Sequence, residues 1–190
     1  MIHTPRMAPH DLRLLTEYVE ASNAIYEAWD KWTLHATDPD GWPLDAREYG
    51  ARAHRRDAET LAAYKTFAPA APRLLAVAAQ QLSPLHPKDV PPSTAWQFEA
   101  LRTAFIALTC LGQEWQRTRA NLPPDAGPGT AAYDDALDAY QSECWSYLDD
   151  WRGYGHVLSR LDEATARAAP APPMPAARSH RGPTNGPTRT

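Results

Sequence analysis

The sequence has few of the residues that mark a secreted or a membrane-spanning protein. Only two cysteines, Cys110 and Cys144, occur in 190 residues, too few for the disulfide framework of a small secreted domain. The longest apolar runs cover only a few residues, whereas a membrane-spanning helix needs about 20. Residues 1–11 lack the apolar segment of a signal peptide. We therefore expect a soluble, cytoplasmic protein that does not bind a membrane.

Patterns that would bind a metal are also missing. None of the seven histidines stands four residues from another, and no Glu-x-x-His sequence of the di-iron bundles occurs. Asp38, Asp40 and Gly41 resemble the start of a calcium loop, but Arg47 stands where the last ligand, a glutamate, is needed. There is also no Gly-rich phosphate loop and no Gly-x-Ser-x-Gly motif. The sequence therefore predicts no metal, no other cofactor and no catalytic residues.

Arginine dominates the basic residues, with 16 arginines against 3 lysines. Residues 170–190 carry three arginines and no acid, so residues 1–169 have 16 basic residues against 23 acids, a net charge of −7. Such a fold repels a phosphate backbone unless its basic side chains gather on one face. Arg52, Arg55 and Arg56 are the candidates for a basic patch. We expect no nucleic-acid partner, and a nucleic-acid accessory role using this patch and the basic tail is the weakest alternative.

Helical periodicity covers most of the chain. Apolar residues recur at alternating steps of three and four, which indicates helices with one buried face. The predicted long helices cover 11–34, 45–67, 94–120 and 130–169, a short helix covers 72–82, and proline-containing turns separate them. Asp45 with Glu48, and Thr94 with Gln97, resemble capping boxes. This pattern predicts an all-α, up-and-down bundle of four long helices, with the short helix across one end.

The last predicted helix carries a heptad pattern. Large residues recur every seven positions and are interleaved with a second apolar series; they are Tyr133, Tyr140, Tyr147, Tyr154 and Leu161, with Leu137, Cys144, Trp151 and Leu158 between them. The pattern is typical of a coiled-coil seam. A straight helix over 130–169 would be about 60 Å long. We expect it either to protrude from the bundle or to bend or fray at Gly153 and Gly155.

The C-terminal segment differs in composition from the rest of the chain. Residues 170–190 are rich in proline, mildly basic and almost without large apolar side chains. Such a segment cannot bury enough apolar surface to offset the entropy lost on ordering. We expect a helical domain over 1–169 and a disordered tail over 170–190.

The aromatic residues allow two interpretations. Most of the seven Trp and eight Tyr residues fall on inward helix faces, where they would fill the core. Alternatively, because a buried Tyr hydroxyl needs a partner, some could line a groove for a ligand or another helix. The candidate groove residues are Tyr133, Tyr140, Tyr147, Trp151 and Tyr154. We expect Cys110 and Cys144 to serve packing rather than a redox switch.

Function is then inferred by elimination. We expect a non-enzymatic interaction or adaptor protein that binds a protein partner, or associates with itself through the last helix. In that case Val157, Leu158 and Leu161 would form an exposed apolar stripe beyond the bundle. The main alternative is a small-molecule-binding or catalytic bundle with a Tyr- and Trp-lined pocket and an inward acid such as Glu143 or Glu114.

Overall fold

The computed structural model describes residues 4–85, 88 and 90–168. Within these residues the chain forms six helices, named α1 to α6 in chain order: Pro9–Ala36, Ala46–Phe67, Ala71–Leu82, Thr94–Ala120, Ala131–Tyr154 and His156–Ala168. The same part of the chain has no strand, and it has no helix that is both long and apolar enough to cross a membrane. The predicted all-α bundle is therefore confirmed. The tail predicted over 170–190 lies outside the described residues.

Short turns set the order in which the helices pack. Helix α1 packs on α2, α2 packs on α5, and α5 packs on α4. Helix α1 also touches α5, where the Tyr18 hydroxyl donates a hydrogen bond of 2.7 Å to the carbonyl oxygen of Leu148. Helix α3 lies outside this group of four helices and packs mainly on α6. The four long helices thus form the bundle, while α3 and α6 extend it at one end.

Aromatic side chains fill the centre of the bundle. Trp151 of α5 and Phe67 of α2 are fully buried, and their ring centroids lie 5.0 Å apart at an angle of 66°. Tyr18 of α1 stacks on Phe67 with a centroid distance of 5.7 Å. Such ring pairs contribute about 0.5 to 1.5 kcal/mol each beyond the burial of their area. They join α1, α2 and α5 into one core.

The two expected capping boxes have different outcomes. At the start of α2, Oδ1 of Asp45 accepts hydrogen bonds from the backbone N–H groups of Arg47 and Glu48, at 2.9 and 3.0 Å. The Asp45 cap is therefore confirmed. Thr94, in contrast, is the first residue of α4 and is buried, and no side chain caps that helix. The expected Thr94 cap is wrong because the preceding turn already brings the chain into helical geometry at Ser93.

The expected bend in the last helix occurs at Gly155, which separates α5 from α6. The N–H of Gly155 still bonds to the carbonyl of Trp151, but Leu158 bonds back only three residues, to Gly155 itself. Beyond the bend, Val157, Leu158 and Leu161 are 1%, 0% and 0% exposed. The expected exposed stripe on this helix is therefore wrong, because α3 and α4 pack against α6.

One buried acid, Asp162, connects the segments that meet at the end of the bundle formed by α3 and α6. Asp162 accepts hydrogen bonds from the Arg6 guanidinium, from the Met7 N–H at 2.9 Å and from Gln81 Nε2 at 2.7 Å. Burial acts to raise the pKa of Asp162, but these hydrogen bonds outweigh it and hold the pKa below its ordinary value. The carboxylate is thereby stabilised in its charged form. It ties the N-terminal segment, α3 and α6 together.

Candidate functional site: an arginine–tryptophan surface and an apolar loop

The basic patch predicted on α2 lies against tryptophans of α1. The guanidinium carbon of Arg52 lies 4.8 Å from the ring centroid of Trp32, and that of Arg56 lies 4.5 Å from the centroid of Trp29. A guanidinium is attracted to the negative face of an aromatic ring. The two stacked pairs therefore help to hold α2 on α1, and Arg55 lines the same shallow groove.

Acidic side chains already balance most of this patch. Arg52 pairs with Glu48 at 3.2 Å, and both N–H groups of Arg56 that face Asp57 donate to its Oδ1, at 2.9 and 2.7 Å. Burial raises the pKa of Asp57, although its hydrogen bonds with Arg56 act in the opposite direction. Arg55 alone of the three arginines has no acidic partner within the described residues. One free guanidinium is a weak site for a phosphate backbone.

The aromatic cluster continues to the end of the bundle where α1 and α2 meet. The rings of Trp29, Trp32 and Tyr49 contact one another, with centroid distances from 5.1 to 5.7 Å. Together with Arg52, Arg55 and Arg56 they form what we call the Arg–Trp surface. Its layered contacts fix the angle between the two helices directly beneath their connecting turn.

That turn is closed by its own hydrogen bonds. Asp38 donates its backbone N–H to the carbonyl of Trp42 at 2.9 Å, and its Oδ1 accepts from the N–H groups of Asp40 and Trp42, at 3.0 and 2.8 Å. Gly41 has a φ of +84°, a conformation that other residues rarely adopt. The turn is thus a defined loop rather than a loose connection.

The last turn of α1 and the loop that follows it together expose three large apolar side chains. Leu34, Trp42 and Leu44 are 77%, 72% and 68% exposed, more than any other large apolar side chain in the described residues. We call these three residues the apolar loop. A cluster of exposed apolar side chains is characteristic of an interaction site. The sequence pattern predicts only a turn between α1 and α2, although an indole between Gly41 and Pro43 belongs to no helix face and could have signalled an exposed position.

The five residues of the expected aromatic groove do not share one open groove. They are Tyr133, Tyr140, Tyr147, Trp151 and Tyr154. Trp151 is fully buried, and Tyr147 is half-buried at the edge of the core. Tyr133 and Tyr140 pack on Trp115 of α4, with centroids 5.6 and 5.5 Å away, while Tyr154 packs on Trp96 at 5.0 Å. Most of the ladder therefore joins α5 to α4.

The inward acid that the sequence suggested is not found, and of the two cysteines expected to serve packing only Cys144 is buried. Glu143 and Glu114 are both exposed to solvent, so the expected inward acid is wrong at these positions. Cys144 is fully buried, whereas Cys110 is exposed on α4. Burial raises the pKa of Cys144 to about 11, so little reactive thiolate forms there near neutral pH.

A second concave feature, which we call the α2–α4 cleft, opens above α5. Its volume is about 260 Å³ and its lining is mostly apolar, formed by Leu61, Tyr64, Lys65, Ala68, Phe105, Leu108, Thr109 and Tyr140. Tyr140 is the one residue of the expected groove that reaches it. No cluster of three or more His, Cys, Asp or Glu side chains that could hold a metal occurs in the described part of the chain.

Comparisons with known proteins add no further guide to function. No family model matches the chain, and comparisons with curated proteins and with solved structures found no match. The apolar loop, the Arg–Trp surface and the α2–α4 cleft are therefore interpreted from their own chemistry.

Proposed function

We propose that the protein is a non-enzymatic interaction module that binds a protein partner through the apolar loop. The observation that supports this most directly is the exposure of Leu34, Trp42 and Leu44 on a backbone held by its own hydrogen bonds. Because the backbone is already ordered, binding loses little further conformational entropy. Tryptophan is also among the residues that most often dominate the energy of an interface.

The charges around the loop indicate the chemistry of the partner. The stretch 38–48, which includes Trp42 and Leu44, contains four acids and one basic residue, namely Asp38, Asp40, Asp45, Glu48 and Arg47. Complementary potentials speed association and select the partner. We therefore expect a partner with an apolar pocket surrounded by basic side chains. Binding should weaken as the salt concentration rises.

The Arg–Trp surface supports this role by positioning the loop. Arg52 and Arg56 each stack on a tryptophan of α1 and each pair with an acid of α2. These contacts hold the ends of α1 and α2 at a fixed separation, so the loop between them has fixed ends. Within the described residues, α6 offers no comparable surface, because its large apolar side chains, Val157, Leu158 and Leu161, are buried.

The proposal is tested by comparing two exposed apolar side chains. Trp42→Ala removes the central side chain of the loop, whereas Ile106→Ala removes a side chain that is 55% exposed on α4. For a partner isolated with the wild-type protein and then purified, Trp42→Ala should weaken binding by about 30-fold, a typical effect for a dominant interface residue, and Ile106→Ala should not. Equal affinity of wild type and Trp42→Ala for that partner would refute the proposal.

The same variants distinguish a different partner from a second copy of this chain. Light scattering after size-exclusion chromatography, over a range of protein concentrations, reports the mass in solution. A dimer that Trp42→Ala converts to a monomer would identify the partner as a second copy. A monomer at all concentrations would leave a different protein as the partner.

A further inference from the structure

The α2–α4 cleft exists because of the order in which the helices pack. Helices α2 and α4 both lie on α5, but within the described residues they do not pack along each other. Tyr140 of α5 forms the floor between them. The space is therefore a consequence of the bundle itself and not of one mobile side chain.

The walls of the cleft are side chains fixed by the core. Leu61, Tyr64 and Leu108 line it and are only 3%, 6% and 6% exposed. Tyr64 is held by an edge-on contact with Phe67, at a centroid distance of 5.8 Å. An apolar cavity of about 150 Å³ in another protein is large enough for benzene. A cleft of about 260 Å³ accommodates a ligand with one or two rings.

Among the described residues, Lys65 is the only charged side chain that lines the cleft. It has no acidic partner within 4 Å among the described residues, and no acid lines the cleft. A lysine ammonium has three donors and no acceptor. The lining thus combines an apolar body with one unmatched positive charge at its edge.

We propose that this cleft binds a small apolar molecule that carries an anionic group, such as an aromatic carboxylate or sulfonate. Its rings lie against Leu61, Tyr64 and Leu108, and its anionic group meets Lys65. This is a different site from the apolar loop and does not depend on the function proposed for that loop. Ligand sites of this kind are mostly apolar and use a few polar groups to set orientation and specificity.

Two probes with closely related aromatic skeletons test separately whether the cleft binds an apolar ligand and whether it prefers an anion. 1-Anilinonaphthalene-8-sulfonate is an anion, and N-phenyl-1-naphthylamine is its uncharged counterpart. Their dissociation constants are measured by calorimetry with the full chain and with two variants. Ala68→Trp fills the cleft, and Lys65→Gln removes its charge at an exposed position, where substitutions usually affect stability little. Lys31→Gln on α1 is the matched control.

We expect both probes to bind the wild-type protein. Ala68→Trp should weaken both probes by at least about tenfold, whereas Lys65→Gln should weaken only the anion, by about fivefold, as suits a partly exposed ion pair. Lys31→Gln and Trp42→Ala should change neither. Failure of both probes to bind, or binding that Ala68→Trp leaves unchanged, would overturn the cleft as a ligand site. An equal effect of Lys65→Gln on both probes, or no effect on either, would overturn the preference for an anion.

Discussion

Two glycines that stand two residues apart should respond to alanine with opposite signs. A Cβ atom added at Gly155 would lie 2.6 Å from the carbonyl oxygen of Trp151, 3.0 Å from Leu15 Cδ1 and 3.4 Å from Val19 Cγ2. A Cβ added at Gly153 would meet nothing within 4 Å. The first position lies where α1 approaches the bend between α5 and α6. The second lies on the exposed face of α5.

The expected magnitudes follow from these contacts. Gly153→Ala should increase the free energy of unfolding by about 0.5 to 1 kcal/mol, because glycine in a helix loses more backbone entropy on folding than alanine does. Gly155→Ala has the same entropic advantage, but its methyl group must displace Leu15 or shift the backbone, and such overpacking costs about 1 to 3 kcal/mol. After this entropic gain is subtracted, the net change should be a loss of up to about 2.5 kcal/mol.

Urea unfolding followed by circular dichroism measures both changes in one experiment. The dependence on urea concentration should be the same for the wild type and both variants, so that the midpoints report stability directly. The two midpoints should lie on opposite sides of the wild-type midpoint. If Gly155→Ala is as stable as Gly153→Ala, then α1 does not approach the α5–α6 bend as described, and steric crowding is not the reason for a glycine there.

Three further predictions concern the buried acids and the thiols. Asp162→Asn should lower the free energy of unfolding by about 2 to 3 kcal/mol, because a buried carboxylate loses charge-assisted hydrogen bonds. Asp149 forms a half-exposed ion pair with Arg152, so Asp149→Asn should change the free energy of unfolding by less than about 1 kcal/mol. Urea unfolding measures both changes. The pKa values of Asp11 and Asp162 are both lowered in the folded protein. The stability that these two carboxylates contribute should therefore be complete above about pH 4, the ordinary pKa range of aspartate. This stability should be lost as the pH falls through their lowered pKa values. Melting temperatures between pH 6 and pH 2 should therefore fall less in an Asp11→Asn, Asp162→Asn double variant, and an unchanged slope would contradict this. Ellman's reagent should modify Cys110 rapidly in the native protein and Cys144 only on unfolding, because Cys144 is buried and its pKa is raised to about 11; rapid modification of two thiols would show that the α4–α5 contact opens.

The helices could be predicted from the sequence because their pattern is local. Apolar residues at steps of three and four define a helix wherever it later packs. The predicted bounds of the second and third helices, 45–67 and 72–82, differ by one residue each from Ala46–Phe67 and Ala71–Leu82. Local signals did not reveal what covers each helix. The apolar side chains of α6 are buried where α3 and α4 pack on it, and the contact with α3 joins residues as far apart in the sequence as Gln81 and Asp162.

In the candidate site, too, local features could be predicted from the sequence, whereas contacts between helices could not. Steps of three and four place Arg52, Arg55 and Arg56 on neighbouring faces of α2, as the sequence indicates. The pairing of Arg52 and Arg56 with acids is local to α2, but their stacking on tryptophans depends on the position of α1. The α2–α4 cleft could not be predicted either, since it arises between helices that are not neighbours in the sequence.

Two tryptophans test whether the apolar loop serves binding rather than folding. Trp42 is 72% exposed and Trp151 is fully buried. Trp151→Ala should lower the free energy of unfolding by about 3 to 5 kcal/mol, because it leaves a cavity in the core. Trp42→Ala should change it by no more than about 0.5 kcal/mol, as is usual for an exposed position. If urea unfolding gives this contrast, any loss of partner binding by Trp42→Ala is caused by the loss of the exposed indole and not by a loss of stability. A large loss of stability in Trp42→Ala would instead mean that the indole is packed, and the loop would no longer be a candidate interface.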